Sequence, residues 1–506
     1  MNPVGPLQFL TMEPPVPRSA AATQRRVLPL ALAVALGLLL ATPRSALAHL
    51  HLRHSSPAAK SVLDTVPRDI RLVFTEAPQL AVSMVRLLAP DGSEVEMGAL
   101  AVDADSANVL LARIPLGSLS AGKYTVVWRT ASSDGHPMEG RFDFTIAAGA
   151  VGLATAAEQA AQPGDSTVAA PESVTAPAAA AGQATSAATN SLPEELDIES
   201  PAYVAIRWFG YAALFALIGT VVFALVVAPK VSSIEADVLA VAARVAVVAS
   251  ALLIVAWVAR LVAQSFALRG SGMGAILGGT TWGSAWIIGA AASLVALGAA
   301  VLARQGQARA PWLMIALAAL AASVALPLSG HAIATPRLSA LAVTADTLHV
   351  LGAGGWLGTL LVTVIAGIPI TLRGEPGTRG REASGLINAF SPVALCCAAL
   401  LVATGVVAAW LHLGSLGALW QSSYGQVLLL KLAVIVVLVI VAFINWRVLR
   451  PALGSDVATR RIRRTAITEL GLALVVLAVT AVLVATPPPA EASAMASSIT
   501  PPMSVR

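Results

Sequence analysis

The chain has 506 residues, of which 57% are hydrophobic and 12% are charged. A soluble domain carries about 25% charged residues, so this composition excludes a soluble globular protein. The net charge is +5, but the basic residues lie mostly in short loops between apolar runs, which indicates membrane topology and not a nucleic-acid partner. The only cysteines, Cys396 and Cys397, are adjacent in an apolar run, which excludes a disulfide scaffold.

Residues 1–48 have the features of a secretion signal. A pair of arginines precedes the apolar stretch Val27 to Ala41, which is too short to span a membrane comfortably. The sequence Ala46-Leu47-Ala48 is typical of a cleavage site. We expect cleavage after Ala48, which makes His49 the first residue of the mature protein; an uncleaved signal anchor is the alternative.

Residues 49–148 have ordinary charge and short alternating segments such as Tyr124-Thr125-Val126-Val127-Trp128, separated by turn residues. This pattern predicts a small all-β sandwich or barrel. Residues 149–200 are rich in Ala, Thr, Gln, Ser and Pro and have no apolar periodicity, so we expect a flexible exported linker.

The region 201–490 contains eight apolar spans, each long enough to cross about 30 Å of hydrocarbon. They cover roughly 203–229, 239–266, 281–303, 311–329, 341–371, 387–411, 426–446 and 466–486. With the β-domain exported, the inward loops carry twelve basic residues and the outward loops and tail carry three. The positive-inside rule therefore predicts a multi-pass protein of the inner membrane, with the β-domain in the periplasm or extracellular space and residues 491–506 as an outward-facing tail.

Two parts of the exported domain suggest a metal site. A first-position His49 can chelate through its α-amine and Nδ1 together, and such planar nitrogen ligation favours Cu(II). Asp134 and His136 flank Gly135 between two predicted strands, where a tight loop brings a carboxylate and an imidazole to one ion. Taken alone, Asp-Gly-His is more often only a turn. His51 and His54 are auxiliary candidates that we interpret as surface histidines.

The sequence resembles the periplasmic copper-binding family CopC over about 49–147. The matching stretches are His49-Leu50-His51-Leu52, Leu72-Val73-Phe74-Thr75-Glu76 and Ser133-Asp134-Gly135-His136. The resemblance implies a Greek-key, cupredoxin-like barrel that holds Cu(II) through His49, Asp134 and His136. In some members a glutamate at the position of Glu76 also binds the ion.

The membrane half contains three histidines near its outward side, at 331, 349 and 412. Asp346 and His349 are three residues apart and share a helix face. An unpaired aspartate at mid-span costs about 2.5–3.5 kcal/mol, so Asp346 is expected to face a cavity or a partner, for which Arg260 is a candidate. These groups indicate either a metal-accepting vestibule or interhelical hydrogen bonds that only stabilise the bundle.

This half resembles the CopD family of copper-transport membrane proteins over about 203–487. The matching stretches are Ser329-Gly330-His331-Ala332, the run from Asp346 to Gly358, and Ser423-Tyr424-Gly425-Gln426 with the residues to Lys431. The resemblance implies an eight-helix bundle that moves copper across the inner membrane, with His331, Asp346 and His349 as its candidate copper pathway. The two halves together are similar to fusions of CopC with CopD.

The leading hypothesis is a copper-handling fusion and not an enzyme. We expect its exported domain to capture Cu(II) and its bundle to transport copper inward, as Cu(II) or Cu(I). The expected partners are copper, the lipid bilayer, and periplasmic copper chaperones or oxidases. No Walker A motif is present, so ATP is not an expected partner. Two alternatives remain open, a histidine-brace copper oxidase or monooxygenase and a membrane protein with b-type haem.

Overall fold

The structure is a computed structural model that describes residues 51–151, 200–268, 270–306, 308–334, 338–375, 377–413, 415–450, 456–486 and 489. The predicted signal peptide, the predicted ligand His49, residues 152–199 of the linker and the predicted tail lie outside the described residues.

The first part of the described chain is an all-β domain, as the sequence predicts. Its strands form one sheet in the order β1-β3-β7-β6 and a second in the order β2-β9-β8-β4-β5. The strands are β1 Leu52–Ser56, β2 Val62–Thr65, β3 Asp69–Phe74, β4 Met84–Leu88, β5 Glu94–Val95, β6 Leu100–Val102, β7 Val109–Arg113, β8 Gly122–Ala131 and β9 Pro137–Val151. Strand β9 therefore continues three residues beyond the predicted boundary at 148.

The core between the two sheets follows from the period of two along each strand. On β8, Tyr124, Val126 and Trp128 point inward and are buried. They face the alternating buried residues of β3, whose Phe74 packs edge-on against Trp128 with ring centroids 5.3 Å apart. These two strands form the rigid base from which the loops at one end of the domain project.

Within the described residues, the second part contains eight helices long and apolar enough to cross a membrane, which confirms the eight predicted spans. They are α1 Pro201–Lys230, α2 Glu235–Ala267, α3 Thr281–Ala303, α4 Arg309–Leu328, α5 Ser339–Arg373, α6 Arg379–Leu413, α7 Ser423–Val448 and α8 Val457–Ala485. Three of these helices, α1, α3 and α7, begin with a hydroxyl cap. The side chains of Ser200, Thr280 and Ser422 accept hydrogen bonds from backbone N–H groups in the first turns.

Small residues allow the helices of the bundle to approach closely. Helices α1 to α4 pack in sequence, α5 packs on α6, and α7 packs on α8. The closest approach is between Gly219 of α1 and Gly358 of α5, in a segment Gly354–Gly358 wound in wide π-type turns. A Cβ atom on Gly358 would lie 1.8 Å from the Phe215 carbonyl oxygen, so only glycine fits there.

We expect Gly358→Ala to destabilise the bundle, because α1 and α5 must separate to accommodate the added methyl group. Overpacking of this kind costs about 1–3 kcal/mol. The measurement is the thermal unfolding temperature of the purified protein in detergent. Gly298→Ala in α3 is the matched control, since nothing lies within 4 Å of its added Cβ. A Gly358→Ala protein as stable as this control would contradict the packing argument.

The β-domain rests on the end of the bundle where α2 ends and α3 begins. An apolar cluster joins Val82 and Ala131 of the β-domain to Leu268, Ile276 and Trp282 of the membrane domain. Leu268 and Ile276 belong to the connection between α2 and α3, which includes the short helix Met273–Gly279, and Trp282 lies in the first turn of α3. The loop between β8 and β9 is therefore pressed against the bundle.

Candidate metal centre

The loop between β8 and β9 brings Asp134 and His136 together. Ala131 and Pro137 close the strand ladder, and the Ser132 N–H donates to the His136 carbonyl at 3.0 Å. Gly135 has φ of +90°, a conformation that favours glycine and turns the chain sharply. As a result His136 Nδ1 lies 2.9 Å from Asp134 Oδ2. The spacing predicted this convergence, and the copper-ligand role of the pair stays a prediction.

Ser132 holds the Asp134 carboxylate in place. Its hydroxyl donates to Asp134 Oδ1, which leaves Oδ2 directed at the imidazole. The Asp134 residue is 3% exposed, so its charge lies in a site largely closed to water. A buried carboxylate beside imidazole nitrogen is a ligand set that suits a divalent metal such as Cu(II).

Glu76 and the amino-terminal segment lie at the same end of the β-domain. The Thr75 N–H donates to the His51 carbonyl, so Glu76 follows a residue paired with the start of β1. The Gln79 N–H donates to the Ala131 carbonyl, which joins the segment after β3 to the base of the loop 132–136, which we call the metal loop after its predicted role. His49 is two residues before His51 and lies outside the described residues, so the structure does not test its part in the site.

Side chains of the membrane domain donate hydrogen bonds to backbone carbonyls of the metal loop. Gln264 of α2 donates from Nε2 to the Gly135 carbonyl at 2.6 Å, and the Thr281 hydroxyl of α3 donates to the Ser133 carbonyl at 2.6 Å. A Cβ on Gly135 would lie 2.8 Å from the Trp282 ring, so the glycine also permits this close contact. The loop is therefore positioned by both domains.

His331 of the membrane domain lies directly against the metal loop. Its Nδ1 is 3.2 Å from Asp134 Oδ2, the same oxygen that His136 approaches. The two imidazole rings are stacked, with centroids 5.6 Å apart and planes 18° apart. The structure thus places one predicted residue of the membrane pathway in contact with two predicted residues of the exported site.

The partner on the far side of the His331 ring fixes its tautomer. Its Nε2 lies 2.9 Å from the Val484 carbonyl of α8, and a carbonyl can only accept, so Nε2 carries a proton. The other ring nitrogen, Nδ1, faces Asp134. Metal-binding histidines commonly have this arrangement, in which one ring nitrogen donates to a carbonyl and the other faces the ion.

The prediction that Arg260 pairs with Asp346 is wrong. Arg260 Nη2 instead donates to the Ser329 hydroxyl at 2.9 Å, and its guanidinium lies 4.8 Å from the centre of the Trp257 ring. Arg260 therefore supports the turn that precedes His331.

Asp346 lies about 10 Å along α5 from the start of the helix, seven residues after Ser339. It is within electrostatic range of His331 and of Lys431, which lies in α7. His349, one turn further along α5, has its Nδ1 2.9 Å from the Thr404 hydroxyl of α6. The three predicted pathway residues thus follow one another away from the metal loop, and their role in transport stays a prediction.

Sequence reasoning did not assign two further polar groups inside the bundle. One is Lys431. The other is Glu469 of α8, which is 5% exposed and accepts a hydrogen bond from Asn445 Nδ2. Both are isolated charges within strongly apolar runs, which is the signal that identifies functional or paired groups in membrane helices.

Among the residues that the structure describes, no group of three or more His, Cys, Asp or Glu side chains is arranged as it stands to hold a metal ion. Asp134, His136 and His331 instead contact one another directly. Binding an ion between them requires the rings to turn slightly away from the carboxylate. The donor set itself, two imidazoles and one carboxylate, fits Cu(II).

Three family models match separate parts of the chain, and residues 339–383, which include α5, lie outside them. The CopC domain matches residues 52–147. The Copper resistance protein D-like N-terminal domain matches 196–338, and Copper resistance protein D matches 384–483.

Individual relatives match in the same regions. The Copper transport protein CutJ of Bacillus subtilis (strain 168) is 24% identical over 468 residues, covering 89% of this chain and 76% of that protein. Copper resistance protein C of Escherichia coli is 32% identical over 117 residues, covering 22% of this chain and 90% of that protein. The crystal structure of CopC from Methylosinus trichosporium OB3b is 34% identical and covers 19% of this chain and 93% of that chain, with a TM-score of 0.18.

The fold, the metal loop and these matches define a class, a membrane protein in which a CopC-type β-domain precedes a helical bundle. The chain belongs to the CopC and CopD copper resistance and transport families, joined in one polypeptide. Both resemblances stated from the sequence are thereby confirmed.

Proposed function

We propose that the chain is a copper transporter and not an enzyme. Its exported domain captures Cu(II) with His49, Asp134 and His136, with Glu76 as an auxiliary ligand, and passes copper to the bundle for import across the inner membrane. The observation that carries this proposal is the contact of Asp134 and His136 with His331, because it joins the exported loop to the membrane domain.

The order of polar groups supports an inward pathway. His331 lies at the outer end of the bundle, Asp346 lies within electrostatic range of it, and His349 lies one helical turn deeper. Ionisable groups in membrane helices are costly and commonly line substrate pathways. In this proposal the β-domain faces the periplasm or extracellular space, where copper chaperones or oxidases supply or receive the ion.

The chemistry at the exported site is ligand exchange. Nitrogen and carboxylate ligands must be deprotonated to bind, so capture of Cu(II) releases protons to water. The negative charge of Asp134 lowers the net charge of the bound ion and favours its burial at the domain boundary. Transport as Cu(I) beyond His331 would require one electron from a separate reductant.

Copper accumulation in cells tests the proposed function. Cells without other copper importers are compared with and without the full-length chain at a low, fixed concentration of copper sulfate. We expect the chain to raise cellular copper several-fold, measured by mass spectrometry of washed cells, and His136→Ala to remove most of the gain. Unchanged copper would contradict transport, and lowered copper would contradict import.

A further inference from the structure

We propose that His331 is itself a ligand of the captured ion, so that the copper site is completed by the membrane domain. The inference rests on the proposed function and extends it. The ion leaves the β-domain by exchange onto His331 Nδ1 and does not pass through bulk water. One metal–ligand bond forms as another breaks, the ion remains Cu(II), and no electron is transferred in this step.

The distances within the cluster support a shared ion. Asp134 Oδ2 is 2.9 Å from His136 Nδ1 and 3.2 Å from His331 Nδ1. Divalent metals hold such ligands at about 2.0–2.2 Å, and two ligands at right angles around one ion are then about 2.8–3.1 Å apart. Each nitrogen therefore already stands near the spacing of a neighbouring ligand from the carboxylate oxygen, and a small turn of the rings would admit the ion.

The orientation of His331 supports the same conclusion. Its Nε2–H donates to the Val484 carbonyl at 2.9 Å, which turns Nδ1 toward the metal loop. Arg260 supports the preceding turn through Ser329. A ring placed only to fill space at the interface would not need its two nitrogens held by partners on opposite sides. This ring is held as a metal ligand is commonly held.

Burial gives the arrangement a functional consequence. The side chain of Asp134 is 0% exposed, and those of His136 and His331 are 11% and 13% exposed. The docked loop is therefore nearly closed to solvent, and an ion held there exchanges poorly with the outside. Gln264 and Thr281 maintain this closure through the backbone carbonyls of the loop.

The test is to count the imidazoles on Cu(II) in the full-length protein. The wild type and His331→Gln are purified in detergent and loaded with one equivalent of Cu(II) alone. Pulsed electron paramagnetic resonance counts imidazoles through their remote nitrogens. Glutamine retains an N–H for the Val484 carbonyl but has no imidazole. We expect one imidazole fewer in the variant and a Cu(II) affinity about 10-fold weaker or more.

Two further variants make the result decisive. His412→Gln, whose ring packs near Tyr424 at the end of α6, is the control and should match the wild type. The double change Gln264→Leu with Thr281→Val keeps every ligand but removes two contacts that dock the loop. We expect this protein to lose the same imidazole signal, which covers the case in which His331→Gln fails to fold.

The outcomes separate this inference from the proposed function. An unchanged imidazole count in both His331→Gln and the double variant overturns the inference. If Asp134→Asn still abolishes strong binding in that case, copper capture stands and only the role of His331 fails. If Asp134→Asn also binds copper like the wild type, the proposed function fails with it.

Discussion

Replacement of Asp134 by asparagine is expected to weaken Cu(II) binding by the full-length chain by about 100-fold or more. The change removes a buried negative charge and the oxygen that both His136 and His331 approach. Loss of one partner from a desolvated charge pair costs about 2–5 kcal/mol, and 100-fold corresponds to about 2.7 kcal/mol. Competition against a chelator of known Cu(II) affinity measures the effect.

Asp91→Asn is the matched control for this experiment. Asp91 also precedes a glycine of positive φ in a tight turn, but it accepts hydrogen bonds from Ser93 and lies on an exposed turn between β4 and β5. Its replacement should leave copper affinity unchanged. Equal affinities for the two variants would show that Asp134 only stabilises the turn and does not bind the ion.

Replacement of Asp346 by asparagine is expected to reduce the rate of copper uptake at least about 10-fold while Cu(II) capture remains intact. Asp346 is a carboxylate within electrostatic range of both His331 and Lys431. Without it, a cation that leaves His331 meets the positive charge of Lys431 with no compensating group. Desolvated like charges in apolar surroundings repel strongly, so the barrier to entry rises.

Uptake into proteoliposomes, normalised to folded protein, measures this second effect. Asp237→Asn is the control, because Asp237 is exposed in the first turn of α2 at the opposite end of the bundle. Affinity at the exported site should be the same in all three proteins. A variant that unfolds at lower temperature but transports normally per folded molecule would place Asp346 in the structure of the bundle and not in the pathway.

The parts of the molecule that could be predicted from the sequence are those set by local pattern. The alternation of Tyr124, Val126 and Trp128 predicts a strand with one buried face, and these residues are buried as expected. Runs of about twenty apolar residues predict the eight long helices. The approach of Asp134 to His136 follows from a spacing of two across a glycine turn.

The parts that could not be predicted depend on contacts between distant segments. Nothing local to His331 indicates that its ring stacks on His136, because that contact depends on how a separate domain sits on the bundle. The pairing of Arg260 with Asp346 was inferred from depth alone, and depth does not fix which face of a helix a side chain takes. Lys431 can be recognised in the sequence as a lone charge in an apolar run. No residue near it in the sequence indicates which group it interacts with.

The way in which the bundle holds the metal loop has a consequence for how such chains diversify. Gln264 and Thr281 donate hydrogen bonds to main-chain carbonyls of the loop. These contacts therefore depend on the backbone conformation of the loop and not on the identity of its side chains. Exported carriers with a similar turn would be interchangeable on the same membrane partner even when their surfaces have diverged. If recombination exchanged the β-domain for a similar one, the contact between its loop and the membrane domain would thus be kept, provided that the turn keeps its glycine.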